Sequence, residues 1–209
     1  MDSTPGKVGL CLGVLVLVVI FEVVLGEILF DASQDFIPWL QEDAGTFKKG
    51  YWKWYSNFML MLLIIGPILG TFVFIEQRSR CFYYLFILCG IIGITNLLKL
   101  LNHQARPFWI PGTQIQAFTC EGQYGNPSGH SSYSMAVCLA MWLDLKDLIP
   151  ERRWYWIQIL FAASLLSIPF VIAYTRLFLG VHSLNQVSFG LQLGAWFAVT
   201  SHYLVKDEL

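Results

Sequence analysis

The chain has 209 residues, of which 56% are hydrophobic and 13% charged, with a mean hydropathy of +0.58. That is too apolar and too thinly charged for an ordinary water-soluble domain, so a lipid bilayer is the expected solvent. A net charge of −1 excludes a phosphate-tracking nucleic-acid surface, which needs Lys and Arg in clear local excess.

Apolar stretches long enough to cross a ~30 Å hydrocarbon core occur at about six places, near residues 8–30, 57–75, 81–101, 131–148, 154–174 and 183–204. The predicted fold is therefore all-α, a polytopic transmembrane helical bundle of about six spans. No internal repeat or linker divides it further. The expected organisation is an anchor helix over 1–30 and one membrane domain over 31–209. The first stretch carries Glu22 and Glu27, and its short apolar part after Lys7 also fits a signal peptide; an uncleaved anchor is the expectation. The two acids read either as interfacial residues or as the lining of a polar cavity.

Between the first two stretches, Lys48, Lys49 and Lys53 interleave with Tyr51, Trp52, Trp54 and Tyr55, the pattern of an interfacial aromatic belt. Arg78 and Arg80 fall in one short connection and Lys146, Arg152 and Arg153 in another. With six spans these share a side with Lys7 and Lys206, which the positive-inside rule makes cytosolic. Loops 102–129 and 175–182 then face the opposite compartment. Of the five cysteines, Cys11, Cys81, Cys89 and Cys138 lie in apolar runs and behave as small hydrophobes, while Cys120 in a polar loop has no evident partner.

Three polar clusters map to that non-cytosolic side, each at the edge of a predicted helix. The first is Lys99 with Arg106 and Pro107; the second is Pro127, Ser128, Gly129 and His130; the third is Thr175, Arg176 and His182. A phosphate site needs permanent cations, backbone donors, a nucleophile and an acid for the leaving oxygen. Arg106 and Arg176 bring planar donor forks, and Lys99 a compact charge. Ser128 and Gly129 precede a helix whose first N–H groups can face an anion. Taken singly, each residue has a plainer explanation: Lys99 can snorkel to headgroups, and a histidine at a helix start can be a cap. His103 and His202 are read as structural. The order and spacing of all three clusters together point to chemistry.

The segments holding Lys99, Arg106 and Pro107, then Pro127 to His130, then Thr175, Arg176 and His182, resemble the three signatures of the type 2 phosphatidic acid phosphatase superfamily, PAP2. The resemblance implies a phosphatase in which His182 attacks phosphorus and His130 protonates the leaving oxygen. Lys99, Arg106, Ser128, Gly129 and Arg176 would hold the phosphoryl oxygens, with no metal and no organic cofactor. Two positions depart from the pattern: Thr175 stands for the usual Ser, and Gln186 stands where most members carry an Asp that orients the nucleophile. A Gln carbonyl can fix the tautomer but stabilises an imidazolium less than a carboxylate would.

Two branches are locally similar. Arg106 to Trp109 with Thr119, Cys120 and Glu121, and also Ser33 to Phe36, look like glucose-6-phosphatase; Tyr124, Gly125 and the short chain look like dolichyl-diphosphate phosphatases. The glucose-6-phosphatase-like reading is placed first, although that family has further helices after the nucleophile. The expected partners are thus a phosphorylated sugar or lipid substrate and membrane lipids, with no nucleic acid. A haloperoxidase-like activity and a catalytically silent structural relative are the alternatives. Resemblance to these phosphatases implies an endoplasmic-reticulum membrane with the site facing the lumen. Lys206, Asp207, Glu208 and Leu209 spell a retention signal that is read only from the lumen, whereas the charge pattern puts them in the cytosol.

Overall fold

A computed structural model describes residues 4–74, 79–148 and 155–206. Arg78, Arg152, Arg153 and the last three residues, all used above to assign sidedness, lie outside the described residues. Six long α-helices account for most of what is described: α1 (Thr4–Gln41), α2 (Thr46–Phe74), α3 (Ser79–Asn102), α4 (Gly129–Leu148), α5 (Tyr155–Phe178) and α6 (Leu184–Leu204). A single 3₁₀ turn, Pro107–Trp109, interrupts the long loop between α3 and α4. Helix α1 runs without a break through residue 30, the boundary expected for an anchor segment.

Four of the helices, α1, α2, α3 and α5, are long and apolar enough to cross a membrane among the described residues. Their outward faces carry large apolar side chains such as Leu17, Val23, Leu62, Leu97, Leu101 and Leu160, each more than 45% exposed. In water that surface would be a liability; in a bilayer it is the solvent-facing side. Helices α4 and α6 fall short on hydropathy because they are enclosed by the others. Ser131, Ser132 and Ser134 on α4 and Asn185 and Gln186 on α6 are buried in protein rather than in lipid, and their polarity is met by side-chain and backbone partners.

The α4–α6 pair is the centre of the bundle. A methyl group at Gly190 would lie 2.7 Å from the Ser128 carbonyl oxygen, and one at Gly194 would overlap the Ser132 carbonyl. Bare backbone at both positions is what lets the two helices approach closely. Around this pair, Tyr83, Ile87 and Ile91 of α3, Ala136, Val137 and Ala140 of α4, Leu165 and Ile172 of α5 and Leu193 and Phe197 of α6 form the main apolar core.

The helix directions put the three polar clusters at one end of the bundle, where α3 and α5 finish and α4 and α6 begin. At the opposite end Asp144, near the close of α4, pairs with Arg80 at 3.2 Å and with Lys206 at 3.0 Å. Tyr84 also donates its hydroxyl hydrogen to Asp144. Arg80 and Lys206 therefore share one pole and the site occupies the other.

Candidate active site

Helix α5 ends in the buried pair Thr175 and Arg176, and the chain then turns through Gly180, whose φ of +70° belongs to the left-handed region that glycine occupies without strain. This turn delivers His182 to the start of α6. Ser183 caps that helix in a capping box, its side chain bonded to the backbone of the third helical residue while Gln186 reaches back to the cap. The cap thus fixes where the Gln186 side chain can go.

Gln186 sets the state of His182. Its Nε2 donates to the Ala105 carbonyl at 2.8 Å, and its Oε1 accepts the Ser183 N–H at 3.3 Å. With the amide so oriented, Oε1 faces His182 Nδ1 at 3.1 Å, and Nδ1 must carry the ring proton. The other ring nitrogen, Nε2, then holds a lone pair. It lies 3.3 Å from Arg106 Nη1, a group that can only donate. His182 is 2% exposed. Burial first, and then the nearby charges of Arg106, Arg176 and Lys99, hold its pKa well below the usual 6.5, opposed only by the bond to Gln186. The result is a neutral imidazole with a defined tautomer and its nucleophilic nitrogen among cations.

Those cations are themselves fixed. Arg106, 1% exposed, donates from Nε to the Gln123 carbonyl at 2.6 Å and from Nη1 to the Val181 carbonyl at 2.8 Å. Lys99 reaches back from the last turn of α3 to Gln123 Oε1 at 3.3 Å. Arg176 donates to Glu121 Oε1 at 2.7 Å, and Arg106 lies 3.6 Å from the other oxygen of the same carboxylate. A single carboxylate from the α3–α4 loop thus sits where both guanidinium forks point.

The helix that supplies backbone donors is α4. The Ser128 N–H, expected to face an anion, instead donates to the Gln186 carbonyl at 2.9 Å. The N–H groups of the first turn, from Gly129 to Ser131, remain those without an intrahelical partner, since the Ser132 N–H already donates to the Ser128 carbonyl. The Ser128 side chain is buried and accepts the Ser131 hydroxyl hydrogen at 3.0 Å. His130 is half-buried on the first turn of α4, within electrostatic reach of Arg176, Lys99 and Arg106. All eight expected site residues are accordingly gathered at this end of the bundle: Lys99, Arg106, Ser128, Gly129, His130, Arg176, His182 and Gln186.

Several participants were absent from the expected set. Glu121 and Gln123 hold the cations, Gln104 accepts from both Asn185 and Gln186, and Glu22 of α1 accepts from Asn126 and Asn185. Gly125 is a further one, since a methyl group there would overlap the Gln186 amide. Glu121 and Gly125 carried a sequence signal as parts of the locally similar stretches, and Glu22 as an acid that could line a polar cavity; the others depend on long-range packing. Glu22 faces the protein, whereas Glu27 is exposed.

Beside Lys99 a cavity of about 510 Å³ is lined by Asn96, Leu100, Trp109, Gln123 and Tyr124. Its wall thus includes both Lys99 of the cation cluster and Leu100, which is exposed on the outer side of α3.

An all-helical membrane bundle with a neutral histidine set among buried cations is the class of protein that fold and site define. The chain belongs to the PAP2 superfamily, whose sequence profile matches residues 80–209. A dolichyldiphosphatase from Saccharomyces cerevisiae is 27% identical over 170 residues, covering 80% of this chain and 63% of that protein. Dolichyldiphosphatase 1 of Homo sapiens is 26% identical over 161 residues, covering 72% of this chain and 64% of its own length. The chain thus spans a little under two thirds of these two relatives. The crystal structure of a transmembrane PAP2 type phosphatidylglycerolphosphate phosphatase from Bacillus subtilis shares the fold, with a TM-score of 0.70 at 18% identity over 92% of both chains.

Proposed function

We propose that this chain is a membrane phosphatase that releases inorganic phosphate from a lipid-linked phosphate or diphosphate through a phosphohistidine intermediate. One observation carries the proposal: the unprotonated Nε2 of His182 lies among Arg106, Arg176 and Lys99 at the end of an apolar bundle. In the first step Nε2 forms a bond to the terminal phosphorus while the bond from phosphorus to the leaving oxygen breaks. His130 gives its proton to that oxygen. Water then attacks the phosphohistidine, returns a proton to His130, and frees phosphate and His182. Lys99, Arg106, Arg176 and the first N–H groups of α4 hold the phosphoryl oxygens, whose charge is spread most widely in the transition state.

The lipid reading, which takes precedence here over the glucose-6-phosphatase-like one, is supported by two features. The cavity beside Lys99 is walled in part by Leu100, which is exposed on the outer side of α3, and relatives named dolichyldiphosphatase match most of the chain. For a diphosphate the broken bond is the phosphoanhydride, and lipid monophosphate leaves. The sugar-phosphate reading stands second, favoured by the stretches around Arg106 and Glu121. We place the domain in an endoplasmic-reticulum membrane with the site facing the lumen, and α1 as a retained part of it.

The test is phosphate release by purified protein in detergent, offered dolichyl diphosphate, phosphatidate and glucose 6-phosphate in parallel. Turnover of either lipid with little of the sugar supports the proposal. Turnover of the sugar alone selects the second reading, and release from none of the three rejects both.

A further inference from the structure

A carboxylate in the middle of an apolar membrane helix is costly and calls for an explanation. Its neighbours Val23 and Val24 on α1 are 77% and 61% exposed, but Glu22 turns inward. Gly26, one turn on, leaves it room: a methyl group there would stand 3.2 Å from Glu22 Oε1. That oxygen accepts from Asn126 Nδ2 at 2.5 Å and from Asn185 Nδ2 at 3.1 Å. The second oxygen, Oε2, is buried with no hydrogen-bond partner among the described residues, so the hydrogen bonds from the two asparagines hold the group.

Both asparagines present their amide nitrogens to Glu22 Oε1, which accepts. For Asn185 this fixes the whole side chain. Its Oδ1 turns to the Ser183 hydroxyl at 2.6 Å, and its Nδ2 also donates to Gln104 Oε1 at 2.9 Å. Gln104 is thereby fixed with its oxygen inward, where it accepts Gln186 Nε2 at 3.2 Å. Gln186 is left with its oxygen toward His182 Nδ1 at 3.1 Å. Asn126 lies just ahead of Pro127, Ser128 and Gly129, so the same carboxylate also ties down the segment leading into α4.

We propose that Glu22 is a positioning residue for His182, acting through the chain Asn185, Gln104 and Gln186 to hold the nucleophile's ring in its attacking tautomer. The role rests on the phosphatase reading above. It makes α1, which lies outside the residues matched by the family profile, part of the catalytic unit.

The experiment compares wild type, Glu22→Leu, Glu22→Gln, Gln186→Leu and the double variant Glu22→Leu with Gln186→Leu, all as the full chain in detergent. It measures kcat and KM for dolichyl diphosphate and the affinity for inorganic vanadate, a phosphate mimic that reports on the cation cluster. Glu22→Leu is expected to lower kcat by about tenfold or more, the scale of groups that orient a ligand from behind. KM and vanadate affinity should stay within about threefold, because Lys99, Arg106 and Arg176 are untouched. Glu22→Gln still offers an acceptor oxygen, keeps the packing, and should retain more activity than Glu22→Leu. In the double variant the losses should fall well short of multiplying, since Gln186→Leu already cuts the chain.

A kcat unchanged in Glu22→Leu, losses that multiply in the double variant, or vanadate affinity that falls in step with kcat would each overturn the role and leave Glu22 a purely structural residue. With wild type active, any of these leaves the phosphatase reading standing. A wild type that releases no phosphate from any of the three substrates overturns that reading and this role with it.

Discussion

The Glu121 carboxylate lies 2.7 Å from Arg176 and 3.6 Å from Arg106, in the place where both guanidinium groups would otherwise meet a phosphoryl group. A phosphate anion can take those forks only if Glu121 gives them up. Glu121→Gln removes the competing charge while keeping the shape. Opposite charges ~4 Å apart attract by about 4 kcal/mol at an effective dielectric constant of ~20. The Glu121 side chain is 31% exposed, and water screens part of that attraction. A loss of roughly 1–3 kcal/mol is the scale of a hydrogen bond to a charged group in such a setting. At ~1.4 kcal/mol per tenfold, Glu121→Gln should bind inorganic vanadate or phosphate about 5- to 100-fold more tightly than wild type. Inhibition of phosphate release by vanadate, and titration calorimetry on the inactive His182→Ala background, measure this directly. Unchanged or weaker anion binding would refute the reasoning, because it would mean that Glu121 supports the arginines without standing in the anion's place.

Loss of the two histidines should differ in kind. His182→Ala should form no phosphoenzyme, whereas His130→Ala should still form one ~10²–10⁴-fold more slowly, read by quenching with phosphate-labelled substrate. In the proposed mechanism His182 reacts when neutral, and its pKa is held well below 6.5, so the acid limb of kcat/KM should fall below pH ~6.5. The same shift has a sign in stability. Below pH ~6.5 the unfolded chain takes up a proton that folded His182 refuses, so this group makes the protein less stable as pH falls, which thermal unfolding at pH 5 and pH 7 can compare. Gly125→Ala puts a methyl group into the Gln186 amide and should lower kcat by about tenfold, with vanadate affinity as the control. For sidedness, a tag after Leu209 should be digested by protease added to sealed microsomes and one inserted at Gly112 protected; protection of both would mean that one helix does not cross.

The eight candidate site residues were legible because each stands at or within a few residues of a helix end, and helix ends follow from apolar run lengths. Once six helices alternate in direction, the finishing ends of α3 and α5 and the starting ends of α4 and α6 fall together without any knowledge of side-chain packing. The order of the helices was legible for the same reason. What escaped the sequence was how the 103–128 loop closes on itself and how α1 docks. The loop turns back on itself so that Gln123 meets Lys99 and Arg106, and Glu121 reaches Arg176 across 55 residues of chain. Nothing in the local pattern specifies either closure. Glu22 shows the limit most plainly: in sequence it is an interrupting charge, and only the packing of α1 against the start of α6 and the loop before α4 gives it partners. Ser128 marks another, since its N–H is used by the Gln186 carbonyl, a bond that joins two of the three clusters and that spacing alone does not reveal.

The neutral residue at position 186 also makes physical sense in this setting. A carboxylate there would strengthen the Nδ1–H bond, but it would also favour the imidazolium and raise the pKa of His182. Three cations already surround the ring, and a phosphate substrate adds negative charge close to Nε2 when it binds. With an acidic partner, both influences would push the nucleophile toward its protonated, unreactive form in the complex. Gln186 gives the orienting hydrogen bond without that charge, and the geometry that an ionic partner would impose by attraction is imposed here by the backbone of Ala105 and Ser183 and by the amide of Gln104. The cost falls later in the cycle, because the developing charge on the ring during attack has no adjacent anion to stabilise it. In the proposed mechanism, transition-state stabilisation must then come chiefly from the cations on the phosphoryl oxygens, and Arg106 and Arg176, each fixed by hydrogen bonds, are placed to supply it once Glu121 gives them up.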